Sequence, residues 1–259
     1  MIDPTFTIGS LTISWYGVII ALAIASSYLV AQAKAKQFGL TKEIVDEAVL
    51  VIVPAGIVGA RLYHVLDFWD FYRQNPSQIF FIWQGGIGIL GALIFGFLVA
   101  IFYLKIKKLP ILASLDLLAI AVILGQAIGR LANFVNLEGF GPPTNLPWKI
   151  FVPGEKRPLQ FLDNSFFHPT FFYEAIASFF GFFLLLFLAK KLGKKSAGLV
   201  FASYLVFYGI ERFFLEFLRI DTWTIDSIKV AQILSLLMVG TGTILIFLRR
   251  EKKKNLTLI

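Results

Sequence analysis

Long apolar stretches recur along the chain and alternate with short polar connections. Seven of these stretches reach about 20 residues, the length that a helix needs to cross the hydrocarbon core of a bilayer. They cover residues 11–32, 44–66, 79–104, 111–137, 171–189, 197–218 and 229–248. The pattern predicts an all-α fold, a polytopic membrane helix bundle of about seven transmembrane helices. No internal repeat accompanies the spans, so an inverted-repeat transporter gains no support.

Composition agrees with a membrane environment. Of the 259 residues, 58% are hydrophobic and 15% are charged, whereas soluble domains carry about a quarter charged residues. We therefore predict a membrane protein, with residues 1–259 as one membrane domain. The chain contains no cysteine, which excludes disulfides, zinc–thiolate sites and a cysteine nucleophile. Any thiol in its chemistry must arrive with a substrate.

Lysine and arginine concentrate on one side of the predicted spans. The connections after the first, third and fifth spans, together with the tail, hold 15 of them, and the opposite connections hold 6. By the positive-inside rule, the N-terminus faces outward and the C-terminus is cytoplasmic. The net charge of +8 is thus a topology signal, and no nucleic-acid partner is predicted.

The connection between the fourth and fifth predicted spans is unusually long. Residues 138–169 are rich in proline, glycine and asparagine, and this topology places them on the outer side of the membrane. We interpret them as a small external cap inserted between two spans.

Charged residues inside membrane spans are costly and mark functional sites by default. Here they are Arg61, Arg130, Glu174, Glu211, Arg212 and Glu216, with Asp116 nearer a helix end. At about 1.5 Å of rise per residue, the three arginines reach the outer third of the bilayer. Tyr16, the Gly85–Gly86 pair and Glu174 reach the same depth.

Helical spacing sharpens this picture. Four polar residues recur along one predicted helix face: Tyr208, Arg212, Glu216 and Arg219. One interpretation is structural ion pairing, of Arg212 with Glu216 and of Arg61 with Glu174. Three arginines at one depth exceed what such pairing needs, and their planar forks suit a phosphodiester. We therefore predict a pocket for an anionic phospholipid headgroup.

The most specific motif lies at the end of the fourth span. Residues 129–141 read GRLANFVNLEGFG and resemble the G-R-x-x-N-F-x-N-x-E-x-x-G signature of the prolipoprotein diacylglyceryl transferase family. Further motifs follow in the family's order: Trp15-Tyr16-Gly17, Gly59-Ala60-Arg61-Leu62, Trp83-Gln84-Gly85-Gly86, His168-Pro169-Thr170, Tyr173-Glu174, Tyr208-Gly209 and Arg212-Phe213 with Glu216. The resemblance covers nearly the whole chain, and it implies a multi-pass protein of the bacterial plasma (inner) membrane.

The resemblance also implies a reaction. In this family, the lipobox cysteine thiol of a preprolipoprotein attacks the glyceryl carbon of phosphatidylglycerol within the lipid bilayer. A thioether forms and glycerol phosphate leaves, as the first step of lipoprotein maturation, with no cofactor and no metal.

Site residues are carried over by position. Arg130 and Arg212 are implied to bind the departing phosphate, and Glu138 to orient an arginine or accept a proton. Tyr16 completes the predicted catalytic set by contacting substrate. The predicted substrate-binding residues are Asn133, Asn136, Gly141, Arg61, Glu216, Gly85, Gly86 and His168. For the two asparagines, interhelical hydrogen bonding is the alternative.

One position departs from the family pattern. The motif W-x-G-G-x-x-x-H-G-G carries a histidine that the resemblance assigns to catalysis, and this chain has Leu90 there. A thiol with a pKa of ~8.5 needs little help to ionise near neutrality. The alternative proton acceptors are Glu138, Tyr16, His168 and His64. The departure leaves open a non-catalytic phospholipid-binding paralogue, whereas a transporter or channel is disfavoured because the polar residues cluster toward one side.

Overall fold

The structure is a computed structural model that describes residues 3–9, 11–192, 197–226 and 228–257. The chain is an all-α membrane helix bundle, as the apolar pattern predicted. Within the described residues, six helices are long and apolar enough to cross a bilayer. The backbone separates into two compact units, Met1–Lys34 with Leu115–Ile259, and Ala35–Ser114. Lys194 and Lys195, which contribute to the predicted charge asymmetry, lie outside the described residues.

Helices dominate both units, and the strands are short. Within the described ranges the helices are α1 Trp15–Lys34, α2 Lys42–Asp67, α3 Trp69–Tyr72, α4 Ile89–Ile106, α5 Ile111–Asn136, α6 Thr170–Leu192, α7 Leu199–Leu215 and α8 Val230–Thr257. Antiparallel strand pairs are formed by β1 Thr5–Ile8 with β2 Leu11–Ser14, β3 Ile150–Phe151 with β4 Phe166–Phe167, and β5 Thr224–Ile225 with β6 Ile228–Lys229.

The first helix begins later than the apolar pattern predicted. Residues 11–14 form strand β2, which pairs with β1 so that Thr5 lies opposite Ser14. Polar and apolar residues alternate in both strands, and a period of two favours a strand over a helix. The hairpin sets the start of α1 at Trp15, whose N–H donates to the carbonyl of Pro4.

The third predicted span also begins too early. Residues 79–88 form short 3-10 turns and a glycine-rich stretch, and α4 begins at Ile89. Gly85 and Gly86 have φ angles of 92° and 73°. A right-handed helix excludes such backbone, which glycine adopts without steric cost. The two glycines therefore precede the span in a loop.

The sixth predicted span is shorter than residues 197–218. Helix α7 has 17 residues and is followed by a 3-10 helix at Glu216–Leu218. That length is at the lower end of the roughly 17–25 residues that cross a bilayer. Arg219 comes next in extended backbone, with φ −96° and ψ 138°. It therefore does not continue the helical face predicted from its spacing.

Small residues and one buried carboxylate join the helices of the first unit. A Cβ on Gly209 of α7 would lie 2.8 Å from the Ser235 carbonyl oxygen of α8, a close approach typical of membrane helices. Asp116 of α5 is buried and accepts hydrogen bonds from the N–H groups of Gly198 and Phe201, both at 2.7 Å. N–H groups at a helix start lack partners within the helix, so Asp116 ties α5 to the start of α7.

Residues 138–169 form a compact insertion between α5 and α6. Its buried side chains Phe140, Val152 and Phe167 form one apolar cluster with Phe171 of α6. Strand β3 pairs with β4, and Arg157 donates to the carbonyls of Val152 and Leu162, both at 2.9 Å. The predicted cap thus packs against the start of α6, and its position outside the membrane stays a prediction.

Helices α2 and α4 pack together in the second unit. A Cβ on Gly91 would lie 2.1 Å from the Gly59 carbonyl oxygen, so the backbones touch. Near the other end of α4, Lys107 Nζ lies 2.5 Å from Glu47 Oε2, and the Tyr103 hydroxyl donates to the same oxygen at 3.1 Å. The helix pair is therefore held at both ends.

Candidate active site

An ion-pair network lies where the C-terminal ends of α5 and α7 meet the N-terminal end of α6. Glu174 is only 2% exposed, with Oε1 2.5 Å from Arg130 Nη2 and Oε2 3.7 Å from Arg212 Nη1. Arg212 Nη2 lies 2.7 Å from Glu216 Oε2, so this ion pair of the structural interpretation is present. Glu174, the expected partner of Arg61, instead pairs with two arginines of its own unit.

The network leaves some buried atoms unsatisfied. Within the described residues, Arg212 Nη1 and Glu216 Oε2 are buried without a hydrogen bond of good geometry. The 3.7 Å contact to Glu174 is an ion pair too long for a hydrogen bond, and the Arg212–Glu216 contact is short but poorly aligned. An unsatisfied buried donor costs about 1–3 kcal/mol, and more when charged. An anionic oxygen would supply the missing acceptor.

Two tyrosines of α7 support the network. The Tyr208 hydroxyl donates to Glu174 Oε1 at 3.4 Å, and its ring stacks on that of Tyr204 with centroids 5.8 Å apart. Tyr204 donates to Gln126 of α5 at 3.3 Å. Helix α7 is thereby connected to both α5 and α6 next to the arginines.

Helix α5 ends in a strained turn that carries Glu138. The Leu137 N–H donates to the Phe134 carbonyl at 3.3 Å, and the Glu138 N–H donates to the Asn133 carbonyl at 3.0 Å. This is the Schellman pattern, whose left-handed position is usually glycine. Leu137 occupies it with φ 50°, at a cost of about 1–2 kcal/mol. Such strain clusters at functional sites.

Polar contacts hold this turn from several directions. Asn136 Nδ2 donates to Glu138 Oε1 at 3.3 Å, and Lys156 of the cap donates to the Asn136 carbonyl at 2.5 Å. Thr170, at the start of α6, donates to the Gly139 carbonyl. Glu138 itself is exposed, so a carboxylate on a fixed backbone remains accessible.

Gly141 is a position of close packing. A Cβ there would lie 2.5 Å from the Leu218 carbonyl oxygen and 3.0 Å from His168 Cβ. Its N–H donates to the His168 carbonyl at 2.8 Å. His168 Nδ1 lies 3.1 Å from the Tyr173 hydroxyl, which accepts from Trp148 at 2.7 Å. Gly141 thus lets the turn, the cap and the end of α7 meet.

Tyr16 completes the group within the first unit. It is the second residue of α1, is half-buried, and lies within electrostatic range of Glu138 and Arg130. The four predicted catalytic residues, Tyr16, Arg130, Glu138 and Arg212, therefore belong to one compact unit.

Three predicted substrate-binding residues lie in the second unit instead. Arg61 is buried and donates through Nη1 to the carbonyls of Gly85 and Gly86, at 2.7 and 2.9 Å. Its Nε and Nη2 donate to the carbonyls of Ile79 and Gln78. The guanidinium therefore shapes the glycine turn, and its direct contact with substrate stays a prediction.

Leu90 stands at the position of the motif's histidine, and His64 is one of the alternative proton acceptors. Both residues lie in the second unit. Leu90 is the second residue of α4 and is partly exposed. His64 of α2 packs on the glycine turn, because a Cβ on Gly86 would lie 2.7 Å from His64 Nε2. Its ring lies 4.5 Å from that of Phe68. A role of His64 as proton acceptor stays a prediction.

Several partners of the site were missed in the sequence. Lys156 supports the Glu138 turn from the cap, and no spacing pattern indicates this contact. Thr170 also supports this turn, and its place in the His168-Pro169-Thr170 motif is the sequence feature that could have identified it. Glu211, by contrast, was among the charged span residues named from the sequence; it accepts from Ser178 at 3.0 Å, and its other oxygen is buried without a hydrogen-bond partner in the described part of the chain.

Comparison with known proteins adds independent findings. A family model described as prolipoprotein diacylglyceryl transferase matches residues 4–248. The chain is similar to a Thermotoga maritima protein, 43% identical over 254 residues, or 96% of this chain and 86% of the relative. An Acaryochloris marina protein is 40% identical over 237 residues (92% and 86%), and a Staphylococcus haemolyticus protein 39% over 255 (97% and 89%). All three relatives are named phosphatidylglycerol–prolipoprotein diacylglyceryl transferase.

Proposed function

The chain belongs to the prolipoprotein diacylglyceryl transferase family and is a multi-pass membrane transferase, and from this premise we propose its reaction. It transfers the diacylglyceryl group of phosphatidylglycerol to the lipobox cysteine thiol of a preprolipoprotein. The observation that carries the proposal is Glu174 buried between Arg130 and Arg212, with one Arg212 nitrogen lacking an acceptor among the described residues. A phosphate oxygen is a strong acceptor for such a guanidinium.

The proposed step exchanges one bond for another. The cysteine sulfur attacks the glyceryl carbon that carries the phosphate, so a carbon–sulfur bond forms as the carbon–oxygen bond breaks. The oxygen leaves with the electron pair as part of glycerol phosphate, and the thiol proton passes to an acceptor. The phosphate charge grows from one to nearly two as the diester becomes a monoester.

Arg130 and Arg212 meet this growing charge. In the structure they pair with Glu174 and Glu216, which hold the guanidiniums in place without satisfying every N–H. Donors that are already oriented cost no reorganisation when the phosphate develops charge. Contacts that strengthen in the transition state raise the rate of the chemical step.

Glu138 is the proposed acceptor of the thiol proton. It is exposed on a turn fixed by Asn136 and by the Asn133 carbonyl, whereas His168 is already engaged with Tyr173. The substrate thiol has a pKa of ~8.5 and is partly ionised near neutrality. Its own ionisation, together with a carboxylate that accepts the proton, therefore takes over the role of the histidine that Leu90 replaces. Asn133, Asn136 and Gly141 shape the headgroup pocket.

The charge asymmetry of 15 to 6 supports an orientation in the bacterial plasma membrane. The N-terminus lies outside and the C-terminus in the cytoplasm, with residues 138–169 outside. The site then opens toward the outer leaflet, where an exported preprolipoprotein would meet phosphatidylglycerol.

A transfer assay tests the proposal. Purified protein is incubated with phosphatidylglycerol and a lipobox peptide, and the peptide mass is measured; the matched control peptide carries serine in place of cysteine. We expect a diacylglyceryl adduct on the cysteine peptide alone, and no adduct when phosphatidylcholine replaces phosphatidylglycerol. An adduct on the serine peptide would contradict attack by a thiol.

Leu90 favours one alternative function, a non-catalytic phospholipid-binding paralogue. A leucine cannot accept a proton, and it stands where the family motif has histidine. This alternative predicts that phosphatidylglycerol binds without any transfer to the cysteine peptide, so the same assay with a parallel lipid-binding measurement separates the two.

A further inference from the structure

Arg219 is a largely buried arginine that has no part in the proposed reaction. Its side chain is 13% exposed, and its Nη2 lies 3.0 Å from Asp221 Oδ2. Its Nε is buried and has no hydrogen-bond partner within the described ranges. Asp221 is 47% exposed, and a solvent-exposed ion pair contributes little stability. The fold therefore gains little from burying this charge.

The backbone of Arg219 is connected to the ion-pair network. Glu216, which pairs with Arg212, begins the 3-10 helix that leads to Arg219. Lys229 Nζ donates to the carbonyls of both Glu216 and Arg219, the latter at 3.0 Å. Arg219 and Glu216, the partner of Arg212, thus share one turn whose two carbonyls bind the same lysine.

The guanidinium of Arg219 lies against the Glu138 turn. A Cβ on Gly139 would lie 3.6 and 3.8 Å from its Nη1 and Nη2, and 2.9 Å from Asn133 Nδ2. Asn133 follows Arg130 by three residues on α5, so the two side chains share one helix face. The Cα of Gly139 is therefore bordered by an amide and a guanidinium, both hydrogen-bond donors, beside Glu138.

The charges of the network show why a further cation matters. Arg130 and Arg212 are matched by Glu174 and Glu216, so these four side chains together are neutral. Phosphatidylglycerol brings one negative charge, and glycerol phosphate carries nearly two. Arg219 adds positive charge, and its carboxylate partner lies at the surface, where water readily replaces it.

We propose that Arg219 binds the substrate phosphate from the side of the Glu138 turn and stabilises glycerol phosphate as it departs. This inference rests on the proposed function. Asp221 pairs with the guanidinium in the structure and is displaced by the phosphate. Because the phosphate charge grows during the reaction, the contact strengthens toward the transition state and acts mainly on kcat.

Two substitutions distinguish this role from a structural ion pair. Arg219→Gln should lower kcat about 10- to 100-fold, the range that one lost charge-assisted hydrogen bond gives, with a smaller change in KM. Asp221→Asn should preserve or raise kcat, because it removes a competitor of the phosphate. The control is Arg73→Gln, which breaks an exposed local pair with Asp70 and should change kcat by less than about twofold.

Equal losses in Arg219→Gln and Asp221→Asn would overturn the proposal, because only a structural pair needs both partners. If Arg219→Gln does not fold, Arg219→Lys carries the test, since it keeps the charge and loses the fork. Full kcat in Arg219→Lys would then also overturn the proposal.

A second readout is independent of turnover. Isothermal titration of the detergent-solubilised protein with racemic glycerol 1-phosphate should show affinity weakened about tenfold or more by Arg219→Gln and retained by Asp221→Asn. Unchanged affinity in Arg219→Gln contradicts the contact. A wild type that shows this pattern without any transfer activity would contradict the proposed function while supporting Arg219 as a phosphate ligand.

Discussion

Replacing Arg130 by lysine separates charge from geometry in the ion-pair network. Arg130 Nη2 lies 2.5 Å from Glu174 Oε1, and the side chain is 27% exposed, so its remaining donors can reach a ligand. Lysine keeps a positive charge opposite Glu174 but lacks the planar fork that binds two phosphate oxygens. We expect wild-type amounts of folded protein and a kcat lowered about 10²–10³-fold, the effect of removing one preorganised donor.

A second pair of variants tests the structural alternative, in which Arg130 only balances the charge of Glu174. Removing one partner of a buried ion pair costs about 3–5 kcal/mol, so Arg130→Gln should destabilise the protein by leaving Glu174 with its weaker contacts. Adding Glu174→Gln removes the carboxylate that has lost its partner, so the double variant should recover much of the lost stability.

Thermal unfolding in detergent measures the stability of each variant, and the peptide transfer assay measures its activity. If Arg130 binds phosphate, the double variant regains stability and stays inactive; if it only balances Glu174, both properties return. Full transfer by Arg130→Lys, or restored transfer in the double variant, would refute the reasoning.

A cysteine introduced at Asn145 on this cysteine-free chain should react with an impermeant reagent in intact cells, and protection there would overturn the topology. Asp116→Ala should lower unfolding stability by about 1–3 kcal/mol, because it leaves buried N–H groups at the start of α7 unpaired; Ser114→Ala, which removes a contact within one helix turn, is the control. The wild-type rate should rise toward pH ~8.5 as the substrate thiol ionises. Leu90→His should raise that rate near neutrality and Glu138→Gln should lower it, whereas a wild-type plateau near pH ~6.5 would indicate a histidine acceptor.

Hydropathy predicted which segments form membrane helices better than where those helices begin. Helix α5 was predicted at residues 111–137 and observed at Ile111–Asn136. Helix α4 starts later than predicted because Gly85 and Gly86 adopt left-handed backbone, with their carbonyls held by Arg61. That contact joins residues far apart in sequence, and an apolar profile does not contain it.

The candidate site was predictable where its contacts are local. Residues four apart on a helix meet, so the Arg212–Glu216 pair followed from spacing. Glu174 joins arginines on two other helices, and only the folded chain shows this. Arg219 was expected on the same face as Arg212. The helix instead tightens into a 3-10 helix at Glu216, and the Arg219 guanidinium lies near Gly139.

The central claim is that the diacylglyceryl group, and not the headgroup, moves to the thiol. Phosphatidylglycerol that carries one isotope in its diacylglyceryl group and another in its headgroup glycerol tests this in a single reaction with a lipobox peptide. We predict that the peptide acquires only the diacylglyceryl isotope, through a bond that hydroxylamine does not cleave, and that the headgroup isotope appears only in soluble glycerol phosphate. Headgroup isotope on the peptide, or an unlabelled peptide while the protein still binds phosphatidylglycerol, would contradict the claim.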